Sequence, residues 1–492
     1  MLQVPFVPHP ERRHPAASLR APCFMCAIMA GMKTLIKNGT VIDPANRINS
    51  LMDVLIKDRK IEAVEKPGIP AAEADHVIDA SGLTVAPGFI DIHMHEDPVD
   101  ADGKIKPCIF NAMLRMGVTT AVGGNCGSNK IDPGDYLDLA DKYGTPVNIA
   151  LFAGHQFYRE KTGAENKYAS IPTEQLSFLR EELSRALFRG CLGISYGLRY
   201  VPGTDRQEFL KTAELCAPEK RLISVHVRDD AAGIFSSVEE AAEAGKLLPI
   251  PVEISHIGSM GAFGQMEQVL RQIDALRAEG TDITFDCYPY DAFSTDIGET
   301  TYDDGWMERY SCGYDVIELC EEPYAGKRCT EELFHKLRKE RPDMITVCHV
   351  MNAEEVHLAL KHPLCMIGSD GYVDNGFGHP RAAGTFPHFL DRYVQNGDIS
   401  LSEGIAKMTS LSAERLGLPN KGRLSPGSDA DLVIFDPGEI SSRSTYEEPM
   451  LPPVGIKYVL IGGEIAAENS EIKNGHLGKS VRFQKTPYHQ LG

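Results

Sequence analysis

The stretch GFIDIHMHED, residues 88–97, places two imidazoles just beyond a run of apolar residues. If Gly88 to Ile92 forms a strand, its side chains alternate between two faces, so His93 and His95 point to the same side. Two neutral imidazole nitrogens that converge at a strand end suit a metal ion. The alternative is that one histidine is packed and the other solvated, and an isolated HxH pair does not decide between these interpretations.

The composition is that of an ordinary globular protein, with 492 residues, 42% of them hydrophobic and 24% charged, enough for one large domain and a smaller one. The net charge of -19 argues against nucleic acid and anionic membrane surfaces as partners. The sequence contains no apolar run of about twenty residues, the length that would predict a membrane-spanning helix. Twelve cysteines without a repeating spacing, in a chain too large to need disulfides, predict reduced thiols and a cytoplasmic location.

Residues 1–31 are expected to form an irregular N-terminal extension, with folding beginning near Met32. The segment contains arginines followed by the apolar run FMCAIMAGM, which is weakly similar to a signal peptide. It also contains Cys23 and Cys26, a CxxC pair with no second pair nearby. We favour the extension because the apolar run is short and no small-residue cleavage pattern clearly follows it.

Alternating apolar and polar residues mark both ends of the folded part as β-structure. Near the N-terminus, TLIKNGTVID, MDVLIKDRKIEAVE and HVIDASGLTVAPG predict short antiparallel strands, with Asn38-Gly39 as a turn signal. Near the C-terminus, DADLVIFDP and IKYVLIGGEIAAE have the same pattern. Residues 32–86 and 415–470 are therefore expected to pair into one small β-domain, followed by a C-terminal tail at 471–492.

Between these flanks, short apolar runs recur, and helix-period segments that stop at glycine lie between them. The runs are GFIDIH, GVTTAVGGNC, VNIALFAGH, GCLGISYG, LISVHV, PVEISH, DITFDCYPY and CMIGSD. Continuous apolar runs are typical of parallel strands buried on both faces. Eight such units predict a (β/α)8 barrel over residues 87–414. An insertion at about 295–343 interrupts the last units, and the apolar piece MITVCHV after it leaves the strand count there open.

Potential metal ligands and proton carriers stand at the ends of several predicted strands. These residues are His93, His95, Cys126, His226, His256 and Asp370. In a (β/α)8 barrel the carboxyl ends of the strands meet at one face, which carries the active site. A lone buried histidine is more often a core residue, but this shared placement predicts a metal site.

The ligand types favour zinc, because sulfur and nitrogen donors together select it over magnesium or calcium. Cys126 lies in GGNCG, where the glycines allow a sharp turn that presents the thiol, although a cysteine is often only a small buried hydrophobe. Cys126, His226 and His256 give the three protein ligands of a catalytic zinc. A second metal position, weaker or empty, is framed by His93, His95 and Asp370.

Asp370, in CMIGSDG, is the candidate proton carrier. A carboxylate next to a metal-activated water can take its proton and later deliver it to a leaving amine. The residue type would also suit a helix cap, but its position at a strand end among the other ligands favours the catalytic role.

These motifs resemble the amidohydrolase superfamily, and in detail its branch of D-aminoacylases, or N-acyl-D-amino-acid deacylases. GNCG at residues 124–127 is similar to that branch's bridging-cysteine motif, and HVRDD at His226 to its His-x-Arg-acidic motif. FDCYPYDAFST and IGSDG…HPRAAGTFP follow in order, so the likeness runs from about Met32 to Asn469. The resemblance implies a zinc-dependent barrel with a small β-sandwich domain, acting on a small-molecule N-acyl-D-amino acid.

The resemblance also implies substrate-binding residues. Arg381 matches the arginine that pairs with the substrate carboxylate, which a guanidinium can hold through two parallel hydrogen bonds. Tyr288 and Ser294 match residues that help to hold the substrate, and Tyr200 matches a tyrosine of the pocket. From the residues alone, the tyrosines would be read as core and Arg381 as a surface ion pair. Gly258 stands where the family carries a lysine that contacts the carboxylate, so one cationic contact is expected to be missing.

Two other functions remain to be compared. Hydantoinase- and dihydropyrimidinase-like enzymes hydrolyse cyclic amides and generally bridge two metals with a carboxylated lysine on strand four. The corresponding run here, GCLGISYG, has no lysine, which favours the linear-amide reading. A non-catalytic binding protein that keeps the barrel would be marked by a lost ligand, and no ligand is missing.

Overall fold

The computed structural model describes residues 31–484 of this α/β chain. The expected extension, with Cys23 and Cys26, therefore falls outside the described residues apart from Gly31, as do residues 485–492 of the expected tail. Within the described part, no helix combines the length and the apolar character needed to cross a membrane.

The N-terminal flank forms strands of one sheet. They are β1 (Lys33–Asp43), β2 (Ile48–Lys57), β3 (Lys60–Glu65), β4 (His76–Asp79) and β5 (Thr84–Pro87). β1 pairs antiparallel with β2 and parallel with β4 and β5, and β2 pairs antiparallel with β3.

The turn expected at Asn38-Gly39 is not formed, and that prediction was wrong. β1 continues through both residues, and its register with β2 shifts between Ile36 and Gly39. Asn38 has a φ of 61°, and its main-chain N–H donates to Asp53 Oδ1 at 3.0 Å. The Asn-Gly pair therefore forms a β-bulge. A bulge of this kind and a tight turn both need a residue in the left-handed backbone region, which explains why the same sequence signal fits either.

Each of the eight apolar runs contains parallel strand structure. The first seven runs give β6 (Phe89–Asp91), β7 (Val118–Gly123), β8 (Asn148–Leu151), β9 (Ala153–Gly154), β10 (Gly193–Gly197), β11 (Leu222–His226), β12 (Val252–Ile254) and β13 (Ile283–Cys287). β8 and β9 belong to the same run and are separated by Phe152 alone. β6, β7 and β8 pair in parallel in chain order, and so do β9 to β13.

The insertion builds a small antiparallel sheet of its own. Its strands are β14 (Phe293–Asp296), β15 (Ile317–Leu319), β16 (Lys327–Arg328) and β17 (Ile345–Cys348). β17, which is the MITVCHV run, pairs with β14 and β15, so it does not add to the parallel series.

The eighth run gives β18 (Cys365–Ile367), which pairs in parallel with β13. Just beyond β18, the Asp370 N–H donates to the carbonyl of His93 at 2.7 Å, and the His95 N–H donates to Gly371 at 2.9 Å. The parallel series thus returns to β6, where it began. A short hairpin, β19 (Val373–Asp374) and β20 (Phe377–Gly378), follows.

Helices separate the strands and pack outside them. They are α1 (Cys108–Arg115), α2 (Pro133–Tyr143), α3 (His155–Lys161), α4 (Thr173–Phe188), α5 (Arg206–Ala213), α6 (Ile234–Leu247), α7 (Ile257–Gly261), α8 (Met266–Ala278), α9 (Trp306–Tyr310), α10 (Glu331–Glu340), α11 (Ala353–Lys361), α12 (Arg381–Phe389), α13 (Leu401–Met408) and α14 (Ser410–Arg415). Their ends follow local rules: the Asp132 side chain caps α2 at Gly134 and Asp135, and Gly144 ends it with a φ of 73°.

The C-terminal flank completes the first sheet. Its strands are β21 (Leu432–Phe435), β22 (Ile456–Ile461), β23 (Glu464–Glu468) and β24 (Glu471–Ile472). β21 pairs antiparallel with β5, so the two flanks form one nine-stranded sheet. This sheet has a hydrophobic core to which both flanks contribute, for example Val41 and Leu432.

Residues 471–484, expected as part of a tail, are docked on the protein. β24 pairs with β23, and Val481 donates its N–H to the carbonyl of Ile149 in β8 at 2.7 Å. Phe483 stacks on the guanidinium of Arg221, 4.0 Å away. This segment is held in place by main-chain hydrogen bonds to β8 and by the contact between Phe483 and Arg221. The sequence pattern does not indicate either contact.

Candidate metal centre

The candidate ligands all follow the carboxyl ends of parallel strands. His93 and His95 come after β6, Cys126 after β7, His226 at the end of β11, His256 after β12, and Asp370 after β18. Because neighbouring parallel strands end at the same edge, the six side chains lie at one face of the fold.

Four of them converge closely. Ligand atoms of His93, Cys126, His256 and Asp370 all lie within 4.8 Å of one another, and all four residues are buried. The Cys126 Sγ is 3.4 Å from Nε2 of His93 and 3.4 Å from Nε2 of His256. His93 Nε2 is 3.6 Å from Asp370 Oδ1.

This cluster fits a zinc ion in both size and donor type. With metal–ligand bonds of about 2.0–2.3 Å, the donors of a tetrahedral zinc are about 3.3–3.8 Å apart. The two Sγ–Nε2 distances of 3.4 Å and the Nε2–Oδ1 distance of 3.6 Å fall in this range. Two imidazole nitrogens, a thiolate and a carboxylate oxygen are donors that zinc accepts.

The other two histidines flank the cluster. His95 Nε2 lies 3.1 Å from Asp370 Oδ1. The His226 ring centre is 4.5 Å from that of His256 and 4.6 Å from that of Tyr200. Its buried Nδ1 has no hydrogen-bond partner within residues 31–484. The group of four closest ligand atoms therefore includes those of His93 and Asp370 and not that of His226, which the sequence analysis placed with Cys126 and His256. The division of the ligands into two metal positions stays a prediction.

The ligands are presented by unusual backbone conformations. Cys126, His256 and Asp370 have φ values of 53°, 35° and 48°, a region that residues other than glycine rarely adopt. Holding a residue in this conformation costs on the order of 1 kcal/mol or more of folding free energy. Residues strained in this way are often found together at functional sites. Gly124 is also required, because a Cβ there would lie 2.3 Å from the carbonyl oxygen of Phe152.

Buried polar groups orient two of the imidazoles. Asp286 Oδ2 is 3.0 Å from Nδ1 of His93, and its Oδ1 accepts from the His256 N–H at 3.0 Å. Ser259 Oγ is 2.9 Å from Nδ1 of His256. With both Nδ1 atoms engaged, both Nε2 atoms are directed at Cys126. Asp286 is a site residue that the motifs in the sequence do not single out; its signal is a carboxylate in the buried strand β13.

The charges of the cluster alter its acidities. Burial alone would raise the pKa of the Cys126 thiol, but His93 and His256 outweigh it and hold that pKa well below its usual value. Elsewhere burial prevails and raises the pKa of Cys191 and Cys365 to about 12. Cys126 is thus set apart as a thiolate among these cysteines.

Arg381 acts on the same cluster from the other side. Burial raises the pKa of Asp370, but the guanidinium of Arg381 and the neighbouring His256, His95 and His93 together outweigh burial and bring that pKa well below its ordinary value. For His226, burial and then the neighbouring His256 lower the pKa of the imidazole.

The expected substrate residues gather beside the cluster. The Arg381 side chain is 3% exposed, its Nη1 is 2.9 Å from Asp370 Oδ2, and its guanidinium lies 4.7 Å from the ring centre of Tyr288. Its Nη2 donates to the main-chain carbonyl of Ser294 at 3.4 Å. Among the described residues, none is a hydrogen-bond partner of the buried Tyr288 hydroxyl. A cavity of about 240 Å³ is lined by Cys126, Tyr200, Ser294, Asp370 and Arg381 among others.

Gly258 does not leave a gap in this cavity. A Cβ at Gly258 would point at the Cys287 sulfur, 2.9 Å away, and at Met351. Because α7 turns this position into the core, a longer side chain would not reach the cavity from here without a change in the backbone.

The HVRDD segment holds the insertion in place. Asp230 Oδ1 is 2.8 Å from Arg199 Nη2 and 2.9 Å from Arg309 Nε, and its Oδ2 accepts from the Tyr310 hydroxyl at 2.5 Å. Arg309 and Tyr310 belong to α9 of the insertion, so this buried carboxylate ties α9 to the parallel strands.

Comparisons with known proteins show the family to which the chain is similar. The model of the amidohydrolase family matches residues 76–184 and 323–467, which include His93, Cys126, Asp370 and Arg381. The chain is 30% identical over 482 residues to a D-aminoacylase from Alcaligenes xylosoxydans xylosoxydans, covering 90% of this chain and 96% of the relative. It is also 30% identical to an N-acyl-D-glutamate deacylase from the same organism, covering 87% and 92%.

A solved structure is similar over nearly the whole length. The crystal structure of an N-acyl-D-glutamate deacylase from Bordetella bronchiseptica, in complex with zinc and a phosphonate that mimics the tetrahedral intermediate, superposes with a TM-score of 0.82. The sequences are 28% identical, and the match covers 92% of this chain and all of that one.

Proposed function

The chain belongs to the amidohydrolase family, and from that premise we propose that it is a zinc-dependent enzyme that deacylates N-acyl-D-amino acids. The products are a carboxylate and a free D-amino acid. The observation that carries the proposal is the position of Cys126 between His93 and His256, beside a cavity that contains the buried guanidinium of Arg381.

Zinc would be held by His93, Cys126, His256 and Asp370, with His95 and His226 next to them. When bound, zinc supplies a Lewis acid that polarises an amide carbonyl and makes a water molecule acidic.

Asp370 is placed to move the protons of the reaction. Its Oδ1 lies among the metal-ligand atoms, and its side chain lines the cavity where the amide would bind. It would take the proton of the attacking water and return it to the departing nitrogen. The substrate carboxylate would be held by Arg381 through paired hydrogen bonds, with the Tyr288 hydroxyl as a further donor.

Strand β10 does not support the alternative function, hydrolysis of cyclic amides. That strand, GISYG, has no lysine that could be carboxylated to bridge two metals, whereas Cys126 lies within the ligand cluster.

The arrangement of the chain supports a division into domains. The closed series of parallel strands would be a (β/α)8 barrel over residues 87–414, with the insertion at about 295–343 beside its mouth. The nine-stranded sheet with its own core would be the small β-sandwich domain built from residues 32–86 and 415–470.

The test is amine release by the zinc-loaded protein from matched N-acetyl-D- and N-acetyl-L-amino acids with acidic, apolar and basic side chains. Turnover confined to the D-substrates supports the proposal. No turnover of any member by protein that demonstrably contains zinc would overturn it, and hydantoins would then be assayed.

A further inference from the structure

The cavity above the metal centre contains acidic side chains that the proposed mechanism does not use. Asp296, at the end of β14, and Glu299, three residues later, both line it. Glu299 has a partner, since its Oε2 is 3.4 Å from Lys167 Nζ. Asp296 has none: among the described residues, no donor binds its carboxylate and no cation pairs with it.

The electrostatic surroundings of Asp296 are acidic. Burial, followed by the charge of Glu299, raises the pKa of Asp296 to about 7, with smaller contributions from Asp343 and Glu321. Lys130 acts in the opposite direction, but its Nζ lies 4.8 Å over the ring of Tyr372. A partly buried carboxylate without a counter-ion is unfavourable, and a cationic ligand group would remove that penalty.

The same cavity is marked independently as a ligand site. The Arg381 side chain is 3% exposed and lines the cavity, yet its Nε has no hydrogen-bond partner in the described part of the chain. The buried Tyr288 hydroxyl beside it likewise has no hydrogen-bond partner among these residues. A ligand would therefore meet a guanidinium that accepts an anion and, on the insertion, a carboxylate that accepts a cation.

We propose that Asp296, supported by Glu299, selects substrates with a positively charged side chain, so that the preferred compounds are N-acyl derivatives of basic D-amino acids. This inference rests on the proposed deacylase function. The α-carboxylate would bind Arg381, and the side-chain ammonium or guanidinium would bind Asp296. The relative named for N-acyl-D-glutamate takes a side chain of the opposite charge.

The experiment compares kcat/KM of the zinc-loaded enzyme for N-acetyl-D-lysine and N-acetyl-D-norleucine, which have the same carbon chain with and without the ammonium. N-acetyl-D-glutamate is the third substrate. We expect the lysine derivative to exceed the norleucine derivative by about tenfold or more, the effect of a hydrogen bond to a charged group. Asp296→Asn should bring this ratio close to one.

Asp304→Asn is the matched control, because it removes the same charge from an exposed position of the same insertion and should keep the ratio. If the wild-type enzyme hydrolyses the norleucine or glutamate derivative as well as the lysine derivative, the inference is overturned while the deacylase function stands. The inference is also overturned if Asp296→Asn leaves the ratio of kcat/KM for the lysine and norleucine derivatives unchanged. If no N-acetyl-D-amino acid reacts, the proposed function itself has failed.

Discussion

At the scale of single residues, three of the candidate ligands hold backbone conformations that local sequence disfavours. Cys126, His256 and Asp370 all have positive φ, and each lies two or three residues beyond the end of a parallel strand. The strain is sustained by buried hydrogen bonds, such as those from the His256 N–H to Asp286 and from the Asp370 N–H to His93. Substitutions here should respect that backbone.

Asp370→Asn tests the proton carrier without disturbing the turn, because asparagine tolerates the left-handed region. We expect kcat to fall by about 100-fold or more, since an amide cannot accept the proton, while zinc stays bound by His93, Cys126 and His256. Turnover and metal content are the measurements. Asp374→Asn, four residues further on and exposed, is the control. Activity above about a tenth of wild type would remove Asp370 from this role.

Arg381 can be tested through the substrate, which separates carboxylate binding from its ion pair with Asp370. The wild-type enzyme should prefer N-acetyl-D-norleucine over its carboxamide by about 10- to 100-fold. Arg381→Ala should abolish that preference, because any effect through Asp370 falls on both compounds alike. Arg392→Ala, whose side chain is 68% exposed, should retain it. A preference that survives in Arg381→Ala would mean that another residue binds the carboxylate.

The raised pKa of Asp296 predicts a pH dependence of selectivity. Asp296 is neutral well below its pKa of about 7 and ionised above it. The ratio of kcat/KM for N-acetyl-D-lysine to that for N-acetyl-D-norleucine should therefore rise between about pH 6 and about pH 8. Effects of pH on the metal centre cancel in this ratio. The ratio should be flat in Asp296→Asn, and a similar rise in that variant would assign the effect elsewhere.

At the scale of elements, the insertion is fixed to the parallel strands by a buried charge cluster. Asp230 contacts Arg199 on one side and Arg309 and Tyr310 of α9 on the other. Thr300 adds a hydrogen bond of 2.7 Å to the carbonyl of Arg199. The wall of the cavity that contains Asp296 is thus held firmly, which suits a role in selectivity.

Asp230→Asn should loosen this attachment, because it removes the buried charge that Arg199 and Arg309 share. We expect a loss of about 3 kcal/mol in the free energy of unfolding and faster amide hydrogen exchange across residues 299–310. The neighbouring Asp229, whose side chain is 50% exposed, provides the control. Asp229→Asn should cost no more than about 1 kcal/mol. Equal effects of the two substitutions would contradict the argument.

At the scale of the whole molecule, the metal centre joins strands from distant parts of the chain. Its four closest residues follow β6, β7, β12 and β18, so an ion bound there cross-links the parallel series near both of its ends. The nine-stranded sheet adds a second long-range connection through the pairing of β5 with β21.

Removal of zinc should therefore lower the unfolding temperature. Zinc at about 1,000 times its Kd stabilises the folded state by about 4 kcal/mol, which corresponds to a shift of several degrees. Calorimetry with and without a chelator, followed by readdition of zinc, measures the effect. Cys126→Ser should show a smaller response to zinc. Identical unfolding temperatures with and without metal would exclude a resident ion at this site.

The sequence by itself determined the eight apolar runs, the residues at their ends, and the two β-flanks. It could do so because strand burial and side-chain alternation are local properties of the chain. The tertiary structure decided what depends on distant partners. It grouped the ligand atoms of His93 and Asp370 with those of Cys126 and His256, paired Arg381 with Asp370, and directed Gly258 into the core. It also converted Asn38-Gly39 from a turn into a bulge. These outcomes depend on distances between segments far apart in the chain, which periodicity and spacing do not encode.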